Sequence, residues 1–218
     1  MTIPQNPEKS AKSKGNRLAA LRVLGVDPAI AGATGYGVVE LDSNSARARM
    51  LRLGHLRFPA RASFSSRLRE IHRMIAELLE EFSPDAIAVE SVFTALNMRT
   101  ALKLAEVRGV ILLAAAQADI PAHSYSPREV KASISGFGGA SKLQMQQMVK
   151  AQLGLRDTPE PTDAADALAV ALCHAHAARA AERLSRSASL APVNARANGA
   201  VRARTASRSH IALARITN

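Results

Sequence analysis

Tryptophan is absent from this chain, and aromatic side chains make up only 3% of it. Its core must therefore be aliphatic, and the 47% apolar content is enough to build one. A single cysteine, Cys173, excludes an internal disulfide and is expected to fill a small core position. No apolar run approaches the roughly 18 residues of a membrane span. The N-terminal stretch MTIPQNPEKSAKSKGNR lacks the apolar segment of a secretory signal. Together these absences predict a cytoplasmic protein with no membrane contact.

The 218 residues allow one domain of ordinary size plus tails. The net charge of +11 is unevenly spread. Residues 1–21 hold four basic residues and one acid, and residues 177–218 hold eight and one. Residues 22–176 hold 17 basic and 16 acidic residues and are nearly neutral. The expected organisation is a disordered basic extension over 1–20, a folded domain over 21–180 and a flexible Arg-rich tail over 181–218. Basic tails suit a polyanion but equally suit plain solvation.

The central stretch alternates strand and helix signals. LRVLGVD, residues 21–27, reads as a buried strand ending on Asp27, with Pro28 stopping it. Two further strand patterns, 35–42 and 48–58, follow through short connections that favour an antiparallel meander. Apolar residues at helical spacing run over 65–82, and a short apolar strand, 86–91, carries Glu90 at its end. A helix capped by Asn97 runs to about Gln117, with small residues at Ala101, Ala105 and Gly109 suited to close helix packing. After a strand at 122–126, capping boxes at Ser126–Glu129 and Ser141–Gln144 open two more helices. The last helix, Thr162 to His176, is capped by Thr162 and holds Asp163 and Asp166 on one face. The pattern predicts an α/β fold with a mixed five-stranded sheet and helices on both faces.

Four acids stand out by position. Asp27 and Glu90 each close an apolar strand, and Asp163 and Asp166 open an apolar helix. Any one strand-ending acid is most often a turn or cap residue, and a helix N-terminus favours acids for its own electrostatics. Converged at one sheet end, however, the four would form an all-oxygen cage suited to Mg²⁺ or Mn²⁺. Two such ions about 3.5–4 Å apart activate water for phosphodiester hydrolysis, so no nucleophilic side chain is needed. No Ser-His-Asp set is evident. The Gly-rich loop over 28–37 lacks a Gly-Lys-Ser/Thr ending and is not a P-loop. His174 and His176 face different ways and read as structural or surface residues, although His174 lies near the side of the helix that carries Asp166.

GVDP followed by TGYGVVE, then AVESVF, YSPREVK, SK and DAADALAVALCH, resembles the RuvC family of bacterial Holliday junction resolvases, in the same order over roughly residues 21–176. The resemblance implies a ribonuclease H-like fold and a homodimer. It also implies Mg²⁺-dependent symmetric nicking of four-way junction DNA in recombination and repair, with Mn²⁺ able to substitute and two ions per site. A branch-migration helicase complex of RuvA and RuvB is the implied partner. The family's catalytic carboxylates fall on Asp27, Glu90, Asp163 and Asp166. Its base-stacking aromatic falls on Phe93, and its phosphate-contacting lysines fall on Lys131 and Lys142. Without the resemblance, Phe93 reads equally as core and the lysines read as solvated. The chain departs from the family in one loop: Ala29 stands where the family has Gly, and one extra residue precedes Thr34.

Alternatives remain at this stage. An RNA-cutting nuclease of the same fold shares these features, and a non-catalytic DNA-binding protein would use the Arg-rich tails. A nucleotide-binding protein of the actin and Hsp70 type needs a second lobe for which the chain is too short.

Overall fold

The computed structural model describes residues 20–30, 32–42, 45, 47–91 and 98–190, with 189 and 190 described by their backbone alone. Phe93, the helix cap Asn97, the basic extension over 1–19 and the tail beyond 190 lie outside the described residues. The chain divides into two units, Met1–Ala177 and Ala178–Asn218. Among the described residues no helix is long and apolar enough to cross a membrane.

In the first unit, strands β1 (Ala20–Asp27), β2 (Thr34–Asp42) and β3 (Ala48–Leu56) form the expected antiparallel meander. Helix α1 (Phe64–Phe82) leads to β4 (Ala86–Glu90), and α2 (Met98–Gln117) leads to β5 (Ala122–Tyr125). Helices α3 (Pro127–Ser135), α4 (Lys142–Leu153) and α5 (Thr162–Leu190) complete the described chain. The sheet order is β3-β2-β1-β4-β5, with β4 parallel to both β1 and β5. The crossover helices α1 and α2 make those parallel pairings possible.

The two faces of β1 sort the helices. Leu24 and Val26 point into one cluster, which α1 fills with Ile71, Ile75, Leu78 and Leu79 and α2 with Val107 and Ile111. Val23 points the other way, into a cluster with Val130, Met145, Val149, Leu168 and Leu172 from α3, α4 and α5. Among the described residues no phenylalanine or tyrosine is fully buried, and both clusters are built from aliphatic side chains, in keeping with the low aromatic content. Both capping boxes form, at Ser126–Glu129 and Ser141–Gln144. Glycine at the centre of β1 lets α5 pack at backbone distance: a Cβ on Gly25 would overlap the Ala167 carbonyl and come within 2.7 Å of the Ala171 nitrogen.

Two sequence expectations need correction. Thr162 is the first residue of α5 rather than its cap, because the amides of Ala164 and Ala165 already donate to the Pro161 carbonyl. The tail expected to be loose from 181 is instead helical through Leu190. That segment is rich in Ala, Arg, Glu and Leu, all good helix formers, and the Glu182–Arg186 pair spans one turn at 2.5 Å.

The Gly25 contact is testable. Gly25→Ala forces the α5 backbone away from β1 and is expected to destabilise the protein by about 2 kcal/mol or more. Thermal unfolding of Gly25→Ala beside the native chain measures it. Equal melting temperatures would mean that α5 does not sit on the strand backbone.

Candidate active site

The parallel pairing of β1 with β4 puts Gly25 opposite Ala88 and Val26 opposite Val89. One step further on, Asp27 and Glu90 end neighbouring strands, pointing to the face that α5 covers because side chains alternate along a strand. Asp27 also pairs with Gly35 on β2, and a Cβ there would overlap the Asp163 carbonyl. The first turn of α5 is therefore pressed against the end of the sheet. Asp166, one turn along, enters the same pocket.

That pocket is about 290 Å³ and is lined by Asp27, Glu90, Asp166, Lys131 and Lys142, with apolar walls from Val130, Met145 and Ala169. Lys142 Nζ donates to Asp166 Oδ2 at 3.0 Å. Five of the seven expected site residues thus share one pocket. Asp163 does not line it, yet its charge is felt by Asp27. Phe93 lies outside the described residues. The apolar walls were not anticipated. Met145 follows Lys142 by three residues and Ala169 follows Asp166 by three, so helical spacing would have found both.

The pocket is electrostatically frustrated. Burial, then the charges of Glu90, Asp166 and Asp163, push the Asp27 carboxyl up to about 8, with Lys142 opposing. Burial and Asp166 also raise Glu90, with Lys131 and Lys142 opposing. The hydrogen bond to Asp166 holds the Lys142 ammonium protonated more firmly than usual. Carboxylates crowded in this way call for positive charge, and oxygen-only donors suit a hard divalent cation. Among the described residues, no three acidic or imidazole groups stand close enough as placed to hold an ion between them. Repelling carboxylates with Lys142 among them are expected to stand apart in this way. The donor chemistry of Asp27, Glu90 and Asp166 fits a cation.

The loop after Asp27, which carries Ala29, is tied at both sides. The Ala29 amide donates to Thr34 Oγ1 at 3.4 Å, and Arg67 donates to the Ile30 carbonyl at 3.0 Å. His174 is structural, as expected. It is buried, stacked on His123 at 4.3 Å and paired through Nδ1 with the Tyr125 hydroxyl at 2.8 Å. Burial, with His123 adding to it, lowers its pKa to about 4.

The Asp27 environment predicts a pH dependence. A carboxyl that titrates at 3.8 unfolded and about 8 folded binds its proton more tightly in the folded state. Folding stability therefore falls as pH rises between those values, and the full loss is present above 8. In EDTA at pH 8.5, Asp27→Asn is expected to be more stable than the native protein by a few kcal/mol, on the order of 2–5. The gap should close toward pH 4. A denaturant titration showing no gap at pH 8.5 would place Asp27 in an ordinary solvated setting.

With the site described, comparison with known proteins identifies the family. Residues 23–174 match the family described as Crossover junction endodeoxyribonuclease RuvC. A protein of that name from Chloroflexus aurantiacus is 45% identical over 163 residues, covering 75% of this chain and 98% of the relative. The solved structure of Thermus thermophilus RuvC has a TM-score of 0.66 at 36% identity, covering 73% of this chain and 96% of that one. A second, the T. thermophilus protein in complex with Holliday junction substrate, has a TM-score of 0.66 at 33% identity over the same shares. The mixed five-stranded sheet with helices on both faces is thus the ribonuclease H-like fold of those structures, and the chain belongs to the RuvC family of crossover junction endodeoxyribonucleases.

Proposed function

We propose that this chain resolves four-way DNA junctions by metal-dependent nicking of two opposed strands, serving recombination and repair in the cytoplasm. The observation that carries this reading is the single pocket in which strand-end carboxylates, an α5 carboxylate and two lysines meet. The T. thermophilus relative seen with a Holliday junction substrate supports the choice of DNA over RNA.

Asp27, Glu90, Asp163 and Asp166 would hold the cation, which we assign as Mg²⁺, with Mn²⁺ able to stand in and two ions per site. Once bound there, such ions provide the Lewis acidity that activates water and stabilises the leaving oxygen. The chain's own residues do the rest. Asp27 and Glu90 are half-buried in a pocket with apolar walls from Val130 and Met145, a setting in which charges act on one another more strongly than in water. Lys131 and Lys142 supply mobile point charges for the scissile phosphate, and Lys142 exchanges Asp166 for that phosphate when DNA arrives. Phe93, just past β4, is assigned to base stacking at the junction centre.

Cutting two opposed strands needs two sites related by a two-fold axis. Helix α2 offers a surface for this pairing. Met98, Leu102, Ala105, Gly109, Leu113 and Ala116 are exposed along one face at spacings of three and four. A branch-migration complex of RuvA and RuvB is assigned as partner on the family resemblance.

Two outcomes are expected. Asp27→Asn should keep junction binding but lose cleavage by about 100-fold or more, since even residues that merely support metal ligands cost 10–100-fold. Single-turnover assays on a labelled junction measure this, and undiminished cleavage would remove Asp27 from the ligand set. Gly109→Arg meets open space in the protomer, since nothing lies within 4 Å of its added Cβ. It should weaken the dimer at least about tenfold, equivalent to ~1.4 kcal/mol. Sedimentation showing an unchanged dimer would move the interface off α2.

A further inference from the structure

Between the helices that carry Lys131 and Lys142 the chain makes an exposed turn, Gly136-Phe137-Gly138-Gly139. The Phe137 ring is 67% exposed although the chain has only five phenylalanines. The ring is nevertheless held in place. A Cβ on Gly139 would lie 2.7 Å from its edge, so the ring rests on the Gly139 backbone. The Ser135 hydroxyl accepts from the Phe137 amide at 3.3 Å and reaches the Lys131 carbonyl at 2.8 Å, tying the turn to α3. Beside the ring is an open groove of about 370 Å³, walled by Leu143 and Met148 and rimmed by Gln144 and Gln147. Leu143 is itself 66% exposed.

The surroundings of this groove point to its occupant. Residues 127–153 hold four basic residues, Arg128, Lys131, Lys142 and Lys150, against one acid. That acid, Glu129, is turned back onto the Ser126 amide at 2.7 Å. The rest of the 22–176 stretch holds 13 basic residues and 15 acids, so this hairpin is the positive part of an otherwise slightly negative domain. Arg128, whose side chain lies against Gly138, and Lys150, one turn from Gln147 on α4, bring positive charge to the groove side of the hairpin, while Lys131 and Lys142 bring it to the pocket side. An apolar groove with positive charge to either side of it suits a polyanion that also has flat apolar faces. The rim amides add hydrogen-bonding groups of the kind that meet base edges. Gln144 uses its carbonyl oxygen on the Ser141 amide at 2.8 Å and still has its NH₂ to offer.

We infer that Phe137, with Leu143 and Met148, is a stacking platform for one base of the substrate DNA beside the cut, with Gln144 and Gln147 facing that base's edge. The platform is distinct from Phe93 and rests on the resolvase reading above. On α4, Lys142 and Met145 face the carboxylate pocket, and the groove lies on the opposite side of the helix. The width of one helix is about 10 Å. At 3.4 Å per nucleotide, the base belongs roughly three steps from the scissile phosphate. A base held there and read at its edge would give the enzyme a sequence preference next to the cut. The preformed turn lowers the ordering cost of binding.

The test uses the full chain and a four-way junction carrying 2-aminopurine at single positions around the cut. Fluorescence is read in the Asp27→Asn background with Mg²⁺, so that strands stay intact, and cleavage is read in the native background at limiting enzyme. Binding should quench the probe at one position about three nucleotides from the cut. Phe137→Ala should abolish that quench and slow cleavage about 5- to 100-fold. Phe137→Trp should preserve both. If the native chain cuts junctions and Phe137→Ala matches it in rate and quench, no base rests on this ring. A change in sedimentation by Phe137→Ala with both DNA readouts intact would give the groove to a protein contact and overturn the inference. A native chain that cuts no junction would remove the resolvase reading, and the platform with it.

Discussion

Backbone-to-backbone packing of α5 on β1 and β2 is the constraint on which the site depends. Because Gly25 and Gly35 carry no side chain, the Ala167 and Asp163 carbonyls of α5 lie almost against the strands. The helix start is thereby fixed at the sheet end where Asp27 and Glu90 terminate their strands. A side chain at either glycine would lift the acids of α5 away from those of the sheet. The apolar remainder of the helix, from Ala167 to Ala175, is buried. That burial holds together carboxylates whose charges would otherwise drive them apart.

The same constraint explains the charge pattern of the pocket. Its acids come from the rigid sheet and the buried helix, whereas its two lysines come from the α3–α4 hairpin. Immobile negative charges suit the cation ligands of a hydrolase, and long flexible basic side chains suit a phosphate that must arrive and leave. The half-exposed Lys142 bonded to Asp166 links the two groups.

Part of the candidate site was legible in the sequence. An acid closing an apolar strand is visible in a linear pattern, which singles out Asp27 and Glu90, and the capping boxes at Ser126 and Ser141 mark the two helices that carry the lysines. Lys131 and Lys142 themselves read as solvated side chains and enter the candidate site only through the family resemblance. The helix-period signals gave α1 and the start of α5. The closeness of α5 to the sheet was not legible, because Gly25 and Gly35 read only as weak points in strand patterns when their partner lies more than a hundred residues away. The extension of α5 to Leu190 was missed because Arg, Ser and Ala were read as tail composition, although Ala and Arg favour helix and Glu182 pairs with Arg186. Asp163 shows the limit of face-sharing arguments. It lies three residues from Asp166, yet only Asp166 lines the pocket, since the first turn is pressed against Gly35.

Anomalous diffraction from crystals soaked in Mn²⁺ tests the carboxylate pocket most directly. A peak within coordination distance of Asp27, Glu90 and Asp166, absent from Asp27→Asn crystals, is the predicted result. If no peak appears in this pocket at a Mn²⁺ concentration that supports junction cleavage, the cation lies elsewhere and the site proposed for hydrolysis is wrong.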